Sequence, residues 1–137
     1  MDVTLIYDRT AEDVEQGTDK GYYRHTDLNR VQTAVAEIRN ALIDAGYNNV
    51  PASALPAWSE NDIPRVSQMT AYIENVRSLV GLLPIPGEPE LPRNMNGLNF
   101  EGANAIEKFL YLLDDTVQRI YGAWFYCGEV FAGEVDV

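Results

Sequence analysis

The stretch from Thr26 to Gly46, TDLNRVQTAVAEIRNALIDAG, decides the fold. Its apolar residues Leu28, Val31, Val35, Ile38 and Leu42 recur at spacings of 3, 4, 3 and 4. That period places them along one stripe of a helix, the seam of a helix packed nearly parallel to its neighbours. Thr26 suits the N-cap and Asp27 the positive end of the helix dipole. Gly46 closes the helix as the residue that tolerates a left-handed turn. The spacing therefore predicts a helix over 26–46.

Two further stretches carry the same pattern. Val66, Met69, Ile73, Val76, Val80 and Leu83 repeat at 3, 4, 3, 4 and 3, with Pro64 placed where a first helical turn lacks nothing without its N–H. This predicts a helix over 63–83, stopped by Pro84. Ile106, Leu110, Leu113, Val117, Ile120 and Trp124 repeat at 4, 3, 4, 3 and 4, predicting a third helix over 102–124, weakened at its ends by Gly102 and Gly122. One helix cannot bury its own stripe, whereas three seams facing inward can, at roughly 25 cal/mol per Å² removed from water. The expectation is a mainly α protein, a three-helix bundle in one domain over 1–137.

The segments between and beyond the helices read differently. Residues 1–25 form an arm and a short helix: Val3 to Tyr7 suits a short strand or an extended arm, and Thr10 with Asp13 suits a capping box. Gly17 and Gly21 limit that helix to a turn or two. Residues 47–61 are a linker with Pro51, Pro56 and Trp58. Pro84 to Leu91 and Pro92 hold four prolines in nine residues, which forces an extended, partly polyproline path. The last segment, 125–137, is aromatic and β-branched with Gly128 and Gly133. It predicts an extended C-terminal arm, a short β strand or a hairpin.

Composition narrows the function classes. The chain has 137 residues, enough for one real core, and 46% are apolar, so it is not a disordered tail. The formal net charge is −11, which opposes contact with nucleic acid or anionic lipid. Cys127 is the single cysteine and has no internal partner. No stretch approaches the roughly 20 apolar residues of a membrane span, and the first residues lack a signal peptide's basic and apolar regions. A chain made and kept soluble in a reducing cytosol is expected.

Residue patterns that carry chemistry are mostly absent from the sequence. His25 is the lone histidine and has no cysteine or carboxylate at metal-ligand spacing. Asp114 and Asp115 are adjacent on a helix, so they point about 100° apart and share no proton. Phosphate-cradling glycine loops are absent, and Ser53, Ser59, Ser67 and Ser78 lie in no nucleophile elbow. Ten Lys and Arg are scattered among 21 acids rather than clustered with aromatics. The acidic pairs Glu12–Asp13 and Asp114–Asp115 would be the groups of a small hydrolase, the least favoured reading. No catalytic, cofactor-binding or metal-binding residue is assigned, and no cofactor is expected.

Two groups stand out instead. Asn29, Asn75 and Asn104 fall inside or at the start of predicted helices, where asparagine is a poor helix former. They read either as exposed polar positions or as structural hydrogen-bonding groups that fix register. The aromatic group Tyr121, Trp124, Phe125, Tyr126 and Phe131 clusters near the end of the chain. It reads either as core or as a contact surface, since Tyr and Trp dominate binding hot spots.

Several ordered motifs resemble a known module. Asp8-Arg9-Thr10 with Ala11-Glu12-Asp13-Val14, Tyr23, Thr26-Asp27-Leu28-Asn29-Arg30-Val31 and Gly46-Tyr47 come first. Trp58, Asp62-Ile63-Pro64, Met69, Tyr72-Ile73 and Asn75-Val76 follow. Leu91-Pro92, Met95, Leu98, Glu101-Gly102-Ala103-Asn104-Ala105-Ile106-Glu107 and Gly128 to Glu134 complete the order. Together they resemble a helical module of tail, baseplate and fibre structural proteins of phages and prophages of Gram-positive bacteria. Gln32 departs from a frequent glutamate, and the stretch from Val14 to Tyr23 is shorter than in many relatives.

The resemblance implies a virion structural protein, a helical adaptor or assembly subunit without catalysis. Its partners would be other phage structural proteins and copies of itself, a trimer being the expected count, with no nucleic acid and no membrane. It would be made in the host cytoplasm and reside in the virion as a subunit docking through its terminal arms, 1–10 and 125–137. The alternative is a soluble acidic regulator or inhibitor that binds a basic protein.

Overall fold

The computed structural model describes residues 3–21, 23–47, 55–83 and 85–135; the side chains of Asp19 and of 121–135 lie outside the described set. The element order is α1 (Ala11–Gln16), a 3₁₀ turn (Asp19–Gly21), α2 (His25–Asp44), α3 (Val66–Arg77) and α4 (Phe100–Val135). The protein is mainly helical, and no strand occurs among the described residues.

The first helix seam packs as its period requires. Leu28, Val31, Val35, Ile38 and Leu42 are all buried, and Ala34 joins them. From α4, Ile106, Phe109, Leu110, Leu113 and Val117 face the same cluster, and Ile73 and Val76 of α3 complete it. The linkers contribute too: Trp58 is buried edge-on to Tyr72 with ring centroids 6.4 Å apart, and Leu91 of the proline-rich stretch is buried in the core. One core is thus shared by three helices and the segments that join them.

Helix ends show which local chemistry wins. α2 starts at His25 with Arg24 as N-cap, two residues earlier than a Thr26 cap would place it. The cause is Asp27, whose Oδ2 accepts the Arg24 backbone N–H at 2.7 Å and ties down the entry to the helix. At the other end Gly46 takes φ 103°, and the N–H groups of Gly46 and Tyr47 donate to the carbonyls of Ile43 and Leu42, both at 3.0 Å. This is a Schellman closure, which satisfies carbonyls the helix would otherwise strand. The predicted capping box of α1 also forms, with Thr10 N–H donating to Asp13 Oδ2 at 3.0 Å and Asp13 N–H to Thr10 Oγ1 at 3.1 Å.

Two expectations are corrected. α3 covers Val66–Arg77, not 63–83. Gly81 takes φ 83° and the backbone turns after Arg77, so Val80 is 45% exposed while Leu79 and Leu83 reach the core from a turn. At the start of α3, Val66 is 85% exposed, because the first turn sits beyond the core. The C-terminal strand or hairpin is not what the backbone forms: α4 runs on through 125–135 to Val135. Extending an existing helix costs far less than nucleating one, and Gly128 and Gly133 each cost only about 1 kcal/mol against alanine. Residues 136–137 lie outside the described set. Residues 3–10 run extended against α2 and α4 of their own chain, through contacts detailed below.

The packing makes a prediction. Leu113 of α4 is fully buried in the shared core. Leu113→Ala removes its methyl groups from a closed core and lowers stability by about 2–5 kcal/mol in denaturant unfolding, whereas Val66→Ala changes it by less than about 0.5 kcal/mol.

Candidate functional site

The most concentrated chemistry is an ion network inside the fold. Asp27 and Arg30 lie one turn apart on α2, so both side chains project to the same side. Glu107 comes from α4, and Arg9 arrives on the extended N-terminal segment. The side chains of Glu107 and Arg9 are 0% and 2% exposed. Two arginines and two carboxylates therefore meet away from water with balanced formal charge.

The geometry is dense. Arg30 forks onto Glu107, with Nε to Oε1 at 2.7 Å and Nη2 to Oε2 at 2.9 Å. Arg9 Nη2 donates to Glu107 Oε2 at 2.6 Å and to Asp27 Oδ1 at 3.3 Å. Arg30 Nη2 also bonds Asp27 Oδ1. The Ile6 backbone N–H adds a bond to Glu107 Oε1 at 3.0 Å. Planar guanidinium forks suit this task, because one arginine can bind two carboxylates without a second charge. Burial alone works against the Arg30 charge, but the hydrogen bonds it donates to Glu107 and Asp27, and their negative charge, outweigh it and raise its pKa further above the ordinary arginine value.

Two asparagines extend the network to the backbone. Asn104 Oδ1 accepts the Arg9 N–H at 3.0 Å, and its Nδ2 donates to the Arg9 carbonyl at 2.8 Å, so one side chain pairs with both polar groups of a single residue. Asn29 treats Trp58 in the same way, donating to its carbonyl at 2.7 Å and accepting its N–H at 2.9 Å. Both side chains imitate a strand partner and fasten an extended segment to a helix. Asn75 instead lines a groove of about 210 Å³ with Val35, Tyr72 and Val76.

A pair of tyrosines closes the inner side. The hydroxyls of Tyr23 and Tyr72 hydrogen-bond each other, and the Arg9 guanidinium sits 5.7 Å from the Tyr23 ring centroid. Burial pushes the Tyr23 phenol well above its usual range, partly offset by the bond to Tyr72, and burial with the neighbouring Tyr23 pushes Tyr72 up as well.

The remaining candidate residues are dispersed. His25 opens α2 on the wall of a groove of about 690 Å³ that also holds Trp58, Met69 and Met95. Asp115 pairs with Arg119 at 3.1 Å on the exposed side of α4, and Asp13 is held by its capping bonds. The backbone of Tyr121, Trp124, Phe125, Tyr126 and Phe131 belongs to α4, but their side chains lie outside the described residues. Among the described residues no group of three or more His, Cys, Asp or Glu side chains is placed to hold a metal ion, and no helix is long and apolar enough to cross a membrane.

Sequence reasoning placed Asp27 as a helix-end charge and read no network from Arg9, Arg30 and Glu107. One signal was present. Glu107 stands four residues after Ala103 and three before Leu110, both buried, so its position falls on the apolar stripe of α4. What the arrangement does is bind segments together, since each carboxylate faces guanidinium and amide donors already fixed in place. Compared with known proteins, the chain matches no family model, no curated protein and no solved structure.

Two predictions test this site. Glu107→Ala leaves two arginines with one shared carboxylate and lowers stability by about 3–5 kcal/mol, while Arg119→Ala, at a pair whose side chains are 79% and 43% exposed, changes it by less than about 1 kcal/mol. Tyr23 and Tyr72 have folded pKa values above the unfolded value of 10.0, so their contribution is fully present below pH 10 and is lost as pH rises toward the folded values. The urea midpoint therefore falls above about pH 10, and Tyr23→Phe with Tyr72→Phe flattens that fall.

Proposed function

We infer that the chain is a structural subunit of a phage virion, a helical adaptor of the tail, baseplate or fibre that acts through protein–protein contacts and not as an enzyme. One observation carries this reading. Arg9, Asp27, Asn29, Arg30, Asn104 and Glu107, all within the motifs that resemble the virion module, take part in the hydrogen bonds and ion pairs that fasten the extended segments to α2 and α4. Residues so engaged serve architecture, and a motif built of them marks a part whose task is to hold a shape. Helices α2, α3 and α4 act as a three-helix bundle, and assembly falls to the aromatic C-terminal segment with Tyr121, Trp124, Phe125, Tyr126 and Phe131. Copies associate through it, as a trimer, and other virion proteins dock on the result.

The formal charge of −11 favours a second reading, an acidic regulator that binds a basic partner. Binding of that kind weakens steeply with salt, whereas apolar assembly does not.

Mass spectrometry of purified particles is the direct test. The virion reading predicts the chain at fixed stoichiometry with the tail proteins, and its absence from intact particles contradicts it. Light scattering tests the assembly surface: the full chain is an oligomer, and the chain truncated after Trp124 is a monomer. Equal masses for the two forms contradict that assignment.

A further inference from the structure

The N-terminal segment is fastened to the body in an unusual way. Residues 3–21 form a unit of their own: α1 has no buried residue, it packs against the 3₁₀ turn that follows it, and Lys20 pairs with Asp8 at 2.8 Å within the unit. Its grip on the body joins polar and apolar contacts. It includes Arg9 in its socket, the Ile6 N–H on Glu107, Asn104 on the Arg9 backbone, Leu5 packed against the core, and Tyr7 tilted against Tyr111 with ring centroids 5.2 Å apart, its own centroid 4.6 Å from the Lys108 ammonium. The grip is also incomplete, because Arg9 Nε is buried and, among the described residues, has no hydrogen-bond partner.

The socket selects its occupant. With the segment lifted, Arg30 alone faces Asp27 and Glu107, and one negative charge is left without a partner. An arginine on an extended segment restores the balance, because Asn104 accepts the arginine's own amide and Glu107 that of the residue three positions before it. Every copy of the chain carries both this socket and the segment that fits it.

We propose that the N-terminal segment exchanges between copies, so that residues 3–10 of one subunit seat Arg9 in the Asp27–Glu107–Asn104 socket of another. This rests on the assembly-subunit reading above and adds a second, polar contact to it. A swapped segment keeps every bond of the closed form and adds none at the socket, so exchange needs only the proximity that an oligomer supplies.

Cysteine pairing in the full-length chain tests it. In a Cys127→Ser background, Tyr7→Cys and Tyr111→Cys are made singly, with different mass tags, refolded together from denaturant and oxidised. Exchange predicts that the cross-linked heterodimer exceeds the sum of the two homodimers several-fold. It also predicts that the double variant, oxidised as the assembled oligomer, gives disulfide-linked species of two or more subunits on a denaturing gel, whereas a segment seated in its own chain gives only an internally bridged monomer. Heterodimer at or below the homodimer level, or only bridged monomer from the double variant, overturns the proposal. Because the tagged singles are also weighed by light scattering, an intact oligomer without cross-linking removes the exchange and leaves the assembly reading standing.

Discussion

The carboxylate of Glu107 organises this protein. It sits at no exposure on α4 and accepts from Arg30, Arg9 and the Ile6 backbone, so three separate parts of the chain converge on one group. A carboxylate in that position is costly unless all its lone pairs are met, and the cost is what makes the arrangement specific. A helix rotated by one residue, or an N-terminal segment shifted by one, would leave the charge buried and unpaired. The apolar seams tolerate small slips between helices; the ion network does not. Hydrophobic burial thus supplies most of the stability, while the polar network selects one register among several that would bury similar area.

The two asparagines repeat that division of labour at smaller scale. Asn104 and Asn29 each pair with both backbone groups of one residue, Arg9 and Trp58. In each case a segment with no strand to join finds its hydrogen bonds on a helix side chain. This lets an arm and a linker rich in proline lie against helices without stranding buried amides. Trp58 can then fill the space beside Tyr72, and Arg9 can reach past Tyr23 to the carboxylates.

Much of the fold is legible in the sequence, because the helix seams are written in a period that nothing else produces. All five seam residues of α2 are buried, and so are Ile106, Leu110, Leu113 and Val117 of α4. The end of α3 was not legible, since Val80 and Leu83 keep the period while Gly81 leaves the helix. Aromatic and β-branched residues after Trp124 looked like strand, but propensity yields to a helix already running. The ion network was hidden for a different reason. Arg9 and Glu107 are 98 positions apart, and a charged residue on an apolar stripe reads as a helix-edge residue until its partner is known. The motif order that prompted the virion reading contains these residues, yet order alone does not say that they touch.

If the Glu107 centre sets the register, the energies of its members must be strongly coupled. A double-mutant cycle measures this directly: Arg9→Met, Glu107→Gln and the double variant are each unfolded in urea beside the parent chain. Coupling of about 1–3 kcal/mol is predicted, with the double variant less destabilised than the two single variants added together. Additive losses, within about 0.3–0.5 kcal/mol, would contradict the account and leave the hydrophobic seams as the whole explanation of the fold.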